Sequence, residues 1–524
     1  MKNFCLLLTI LWSIPILAQF NNPQKDKIDI KSYDFYLKIN DSNNKIKGKA
    51  IIQLELLKNI SDFYLDFDKK DLQGTGMEIQ KIKINNIDFS NAIFEKNRLV
   101  FKGKWYKGKK ISIEIAYSGI PKDGLYISRN KYGSRTFFGD NWPNRAHYWL
   151  PVIDHPSDKA LVSFEISAPE HYEVVASGKF ISRIKNKGKI IWKYQSEVPY
   201  PTKVMVFGAA DFNIKNYEIF HNIPVSGWIY KNSPLKGLDD YQPAVEILKF
   251  YDSIIGPYSY KKLANVQSKT RFGGMENAGN IFYNEKTVDG TSSAENLIAH
   301  EVGHQWFGNS VTEKNWSDIW LSEGFATYLT DLFIEHKYGK KAFEKRMKME
   351  RDKIIRYNLF KRNPVVYTEK ERLFNLLNPN SYEKGAWVLH MLRQKIGDKN
   401  FFKLLKDFYK KYRNKNASTT DFIKLSEKIS GMDLQYFFQQ WLYRSGIPEL
   451  RFETKKDKNF LYIIFHQEPP YYQLNFPVEI EFPTKKYFIN FPVDKEKNIY
   501  KIPLNKLPKN YKILYDPEVK ILYK

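Results

Sequence analysis

"HEVGHQWFG", residues 300–308, sets two histidines four apart with a glutamate beside the first. On an α-helix, residues four apart lie one turn above each other on the same face. His300 and His304 can therefore aim two imidazoles at one cation, with Glu301 within reach of a water bound there. Two histidines and a general base form the logic of zinc hydrolases. A catalytic zinc needs a third protein ligand and an open fourth position. The candidate is Glu323 in "WLSEGFA". The gap between them accommodates the end of one helix, a loop and entry into a second. Taken alone, HExxH also arises by chance, with histidines that are satisfied in a packed core.

Around this stretch the signals are helical. In "SSAENLIAHEVGHQWFG", Ser292 and Glu295 have capping-box spacing, and Gly308 suits a stop. "WLSEGFATYLTDLFIEHKYG" predicts a second helix ending at Gly339, and "SYEKGAWVLHMLRQKIG" and "DLQYFFQQWLYRSG" predict more. Upstream, "YDFYLKIN" (33–40), "KGKAIIQLELL" (47–57), "LVSFEISAP" and "YEVVASG" read as strands. Downstream of "GIPEL", short strands return: "FLYIIF", "FPVEIEF", "YFINFPV" and "YKILYD". The expected fold is α+β and multidomain. A signal segment (1–18) precedes an N-terminal all-β domain (19–212). A mostly α catalytic domain (213–449) and a small β-sandwich-like domain (450–524) follow.

The 524 residues are too many for one core, and the apolar content is ample for globular domains. "MKNFCLLLTILWSIPILAQF" has a positive n-region at Lys2, an apolar run from Phe4 to Leu17, and a small residue for cleavage at Ala18. That is the pattern of a secretory signal peptide, so the expected location is secreted or periplasmic. The run is short for a spanning helix, and no later segment is apolar enough to cross a membrane. Gln19 stands where a lipid-attachment cysteine would be needed. The single cysteine, Cys5, lies in that signal, so no disulfide is expected in the mature chain. The formal net charge is +25. The lysines are spread rather than clustered and no nucleic-acid motif is present, so a solvated lysine-rich surface is expected and nucleic acid is not. The charge also favours acidic peptides or an anionic cell surface.

Residues 271–328 resemble the zinc aminopeptidases of family M1, which belong to the gluzincins with a thermolysin-like catalytic domain. "GGMEN" (273–277), "HEVGH" (300–304) and "WLSEGFA" (320–326) stand in that family's order, followed by "SYEKGA" (381–386) and "FFQQWLYRSGIPEL" (437–450). The resemblance implies one zinc per chain, held by His300, His304 and Glu323. It implies that Glu301 is the general base and that Tyr382 donates a hydrogen bond to the oxyanion formed as water attacks. Glu276 would bind the substrate's α-ammonium, so the first peptide bond meets the metal. Gly273 and Gly274 would let the backbone approach the substrate, which would pair with Gly273, Gly274, Met275, Glu276 and Asn277 as an added strand. The implied partners are peptides with a free N-terminus. Asp318 is a candidate to orient a ligand histidine, with a surface helix-start aspartate as the alternative.

Two departures stand out. In "FFGDNWPNRAHYWLP" (137–151), Trp142 falls where the family usually completes the amine site with a polar residue, and Asp140 lies two before it. Asp140 is a candidate second anion, and Trp142 a candidate narrowing of the first pocket. Larger family members also carry a helical C-terminal domain after the small β domain, so a short form is expected, its cleft either more open or closed by another copy of the chain. The competing readings are an endopeptidase, a lipid-epoxide hydrolase and a non-catalytic binding protein. The last is opposed by the presence of His300, Glu301, His304, Glu323, Glu276 and Tyr382.

Overall fold

The computed structural model describes residues 22–367, 372–483, 485–504 and 510–524. The expected signal segment lies outside them. Two compact units divide the chain. One takes in the described residues up to Ser322 with 372–376 and Lys406–Thr419, and the other takes in Glu323–Tyr367, Leu377–Leu405 and Thr420–Lys524.

The first unit is built on a nine-stranded sheet. Strand Ile28–Lys38 pairs antiparallel with Ile46–Leu56 and parallel with Lys159–Pro169. Its alternation explains its place, because Ile28, Ile30, Tyr33, Phe35 and Leu37 all point into the core. A register shift between Ile30 and Ser32 lets the buried series resume at Tyr33 after two polar residues.

A second sheet carries the site. Its order is Phe212–Phe220, Ile223–Tyr230, Leu263–Ser268, Asn280–Asn284 and Gly274–Met275. The short strand Gly274–Met275 is the last in that order, paired antiparallel so that Gly274 faces Tyr283 and Met275 faces Phe282. Helix α1 (Pro243–Ile255) begins with proline at its first turn, where the missing N–H costs nothing. It buries Ala244, Ile247, Leu248, Tyr251 and Ile255 at helical spacing. Tyr251 Oη donates to the Ala299 carbonyl of helix α2 (Glu295–Gly303) at 3.1 Å, tying the two helices together.

Helix α2 differs from its expectation at both ends. Ser292 does not cap it: Ala294 is the N-cap and no side chain closes the first turn. Ser292 instead adopts φ 56°, and its N–H goes to Asp240 Oδ1 at 2.8 Å. The other oxygen of Asp240 takes the N–H groups of Asp289 and Gly290. One carboxylate thus satisfies three donors of the entry loop and displaces the local box. The helix stops at Gly303 rather than running to Gly308, yet His304 keeps helical dihedrals and its N–H reaches the His300 carbonyl at 3.2 Å. The one-turn relation between the histidines survives.

Helix α3 (Trp320–Tyr338) ends at Gly339 as its sequence predicts, and the unit boundary runs through it. In the second unit, helix α4 (Lys340–Phe360) precedes a π-helical turn, Asn380–Lys384, which leads into helix α5 (Gly385–Ile396). From 450 onward the second unit holds two three-stranded sheets. Leu450–Lys456, Phe460–Gln467 and Lys497–Pro503 form one. Lys486–Val493, Leu474–Glu481 and Lys512–Tyr515 form the other. Aromatics join them: Phe452 packs on Phe476 at 5.1 Å and stacks on Tyr515 at 4.4 Å. The architecture is β-rich, then helical, then β-rich, an α+β fold.

Candidate metal centre and active site

His300 and His304 present Nε2 to one point, 3.1 Å apart, with their rings nearly perpendicular at 88°. Ligand atoms of His300, His304 and Glu323 all lie within 4.8 Å of one another. Two nitrogens on a tetrahedral zinc, each at about 2.0–2.1 Å, stand roughly 3.3 Å apart, so the histidine spacing fits that ion. Two imidazoles and one carboxylate are also the donor set that leaves a fourth position for chemistry. The tautomer of His304 is set from behind. Its Nδ1–H donates to the Phe307 carbonyl at 3.2 Å, and Ser322 Oγ lies 3.1 Å from the same nitrogen. A proton held at Nδ1 leaves Nε2 with the lone pair a metal needs.

Three glycines show how tightly the parts are assembled. A Cβ on Gly274 would lie 2.4 Å from Glu301 Oε1 and 2.5 Å from its carboxyl carbon. The Glu301 carboxylate therefore rests directly on the GGMEN backbone, which only glycine permits. Gly273 has no such demand, with its nearest neighbour Leu297 at 3.6 Å. A Cβ on Gly308, whose φ is 119°, would meet Ser322 Oγ at 2.4 Å and His304 Nδ1 at 2.9 Å. A Cβ on Gly324, next to Glu323, would meet Gly385 Cα at 2.9 Å and the Ser381 carbonyl at 3.2 Å. The turn bearing Tyr382 thus sits against the helix residue that follows Glu323.

The GGMEN segment is held by residues that sequence reasoning missed. Gln305 Nε2 and Asn309 Nδ2 both donate to the Glu276 carbonyl, at 2.8 and 2.6 Å, and Gln305 Oε1 accepts the Gly279 N–H at 2.9 Å. Their position just after HEVGH was the signal available. Glu276 and Met275 are buried, and so is Asn277, whose side-chain amide has no hydrogen-bond partner among the described residues. Tyr283, opposite Gly274, donates to Asn265 Oδ1 at 3.1 Å, and burial with the Glu301 charge pushes its phenol pKa well up. It stays neutral beside the carboxylate.

Of the departures, Asp140 is fully buried and already partnered. Arg145 Nη2 donates to it at 2.5 Å and Thr270 Oγ1 at 3.1 Å, while burial raises its pKa. Trp142 is buried edge-on to Phe272 (6.1 Å), Trp316 (5.8 Å) and Phe374 (6.0 Å), an aromatic cluster beginning one residue before Gly273. Asp318 is buried rather than on the surface, and it accepts the N–H and hydroxyl of Thr419 at 3.1 and 2.6 Å.

The patterns of known families decide the relationship. The Peptidase family M1 domain matches residues 240–441, and the Peptidase M1 N-terminal domain matches residues 30–204, together most of the chain. The chain belongs to peptidase family M1. Leucyl aminopeptidase of Saccharolobus solfataricus is 25% identical over 456 residues, 81% of this M1 chain and 54% of that protein. Glutamyl aminopeptidase of Sus scrofa is 28% identical over 351 residues, 62% of this chain and 36% of that one. The chain spans about half the length of the first of these curated relatives and about a third of the second. The crystal structure of an M1 zinc metallopeptidase from Deinococcus radiodurans shares the fold at TM-score 0.70 and 23% identity, covering 82% of this chain and 98% of that chain. A variant of that enzyme, 22% identical with TM-score 0.70, is bound to the substrate Tyr-Ser-Ala.

Proposed function

We propose that this M1 chain is a zinc metallo-aminopeptidase that hydrolyses the first peptide bond of peptides with a free N-terminus. The observation that carries the reading is the contact between Gly274 and Glu301. It sets the segment expected to grip the substrate against the carboxylate expected to act as base, beside the His300, His304 and Glu323 cluster. Bound zinc would supply a Lewis acid for the scissile carbonyl and acidify a coordinated water. Glu301 takes the proton from the attacking water and passes it to the leaving amine. Tyr382 donates to the oxyanion, whose charge exists mainly in the transition state. The Glu276 carboxylate pairs with the substrate's α-ammonium and measures one residue from the end. The peptide backbone extends along Gly274–Met275, the last strand of its sheet. The Tyr-Ser-Ala substrate of the Deinococcus enzyme and the named aminopeptidase relatives support a peptide substrate.

The test is a panel of aminoacyl fluorogenic amides with free and acetylated amines, run beside Glu301→Gln. Cleavage of free-amine substrates alone, lost at least 1,000-fold in the variant, is expected. Equal cleavage of acetylated substrates would replace the reading with an endopeptidase.

We further infer export to the periplasm or medium, from Lys2, the apolar run to Leu17 and Ala18. No helix among the described residues is long and apolar enough to cross a membrane. N-terminal sequencing of the protein from the cell envelope and medium checks this: a start at or near Gln19 is expected, and an intact Met1 in the cytosol would refute it.

A further inference from the structure

Lys384 is buried, and no acidic side chain pairs with it among the described residues. Burial alone brings its pKa down to about 7. Its Nζ donates to the Gly446 carbonyl at 2.8 Å and reaches the Arg444 carbonyl at 3.4 Å. A buried lysine is costly, and a methionine of similar length would avoid the desolvation. Here the donors of that lysine are given to two backbone carbonyls.

What they do is hold a turn. Asn380–Lys384 is π-helical, a wide turn that forgoes regular α-helical bonding and is frequent at functional sites. Three anchors fix it within the second unit. Asn380 Nδ2 donates to the Asn363 carbonyl at 2.5 Å, and Asn358 Nδ2 donates to Asn380 Oδ1 at 3.2 Å. Glu383 pairs with Lys353 at 3.1 Å on the exposed side. Lys384 is the inner anchor. Tyr382 lies between them, and the Ser381 carbonyl rests against Gly324, next to Glu323.

We propose that Lys384 is the positioning residue for Tyr382, its amino group clamped to the carbonyls of the 444–446 turn so that the phenol is held in one place. The inference rests on the aminopeptidase reading. It gives Lys384 an effect on the transition state and almost none on substrate binding.

The experiment is a double-mutant cycle on the best free-amine substrate, with Lys384→Met, Tyr382→Phe and the double variant, kcat and KM measured separately. Lys384→Met is expected to lower kcat at least tenfold with KM changed less than twofold. In the Tyr382→Phe background the same change is expected to cost less than twofold, because the hydroxyl it positions is gone. A kcat within twofold of the unmodified chain overturns the proposal. So does an equal loss in both backgrounds, which marks a general structural role. If Lys384→Met does not fold, Lys384→Gln, which keeps an N–H donor, replaces it; failure of both variants to fold also overturns the proposal. An inactive unmodified chain would instead remove the aminopeptidase reading beneath it.

Discussion

Lys203 and Glu313 meet at 2.7 Å with both side chains withdrawn from solvent, while Arg451 and Glu468 meet at 3.0 Å with theirs 76% and 54% exposed. Gly274, Gly308 and Gly324 each have an atom closer than 3.0 Å to where a Cβ would stand, whereas residues 450–524 contain no glycine at all. Near the metal ligands, backbone and carboxylates interlock, so a single atom out of place has no neighbour able to give way. In the C-terminal β region the packing is made by rings such as Phe452, Phe465 and Phe476, and outward positions such as Tyr487, Phe488 and Ile499 stay exposed. One region is specified by chemistry, the other by burial.

The largest test of that contrast is removal of the metal. Dialysis against a chelator is expected to abolish peptidase activity and lower Tm, with one equivalent of zinc restoring both; metal analysis and thermal melts read it out. Retained activity in a verified metal-free sample would break the comparison at its centre. Next comes Gly274→Ala, whose methyl would overlap the Glu301 carboxylate. A loss of at least 100-fold in kcat/KM is expected with circular dichroism unchanged, and a loss below fivefold would mean that the segment shifts freely. A smaller effect, on stability, separates the ion pairs. Lys203→Met leaves Glu313 buried without its ion-pair partner and is expected to cost about 3–5 kcal/mol in chemical denaturation. Arg451→Ala is expected to move Tm by less than about 1 °C. Similar effects from both would erase the distinction.

The register of the metal helix was legible because His300 and His304 carry their relation in local sequence, and it held even though α2 ends earlier than Gly308 suggests. Strands such as 33–40 and 47–57 were legible for the same reason, since alternation is local. The capping box was not, because Asp240 supplies its carboxylate from 52 residues upstream of Ser292. The lysines were misread in part. Most are exposed, but Lys159 and Lys262 are half-buried, donating to the Asn309 and Ser310 carbonyls and to the Gly279 carbonyl, and Lys203 and Lys384 are fully buried. Composition cannot separate a solvated ammonium from one that caps carbonyls, because the caps come from far along the chain. The same holds for Asp140: its place two before Trp142 suggests a candidate anion, but the Arg145 fork that takes it up reaches back only once the 140–149 loop is folded. Gln305, Asn309 and Ser322 are harder to read because their roles are to hold other residues, and their places just after HEVGH and just before Glu323 are the one local signal they carry.

Ser322, Glu323 and Gly324 follow one another at the start of α3, one beside the His304 ring, one among the metal ligands, one against the Tyr382 turn. A helix advances 100° per residue, so the three tasks point in three directions from a single shaft. Lengthening the chain by one residue inside that first turn would rotate all three assignments together, while an insertion in the loop at 314–315 would leave them in phase. Natural variation in loop length should therefore accumulate before Trp316 and stop there, and any redesign of this site has to be grafted without turning that key.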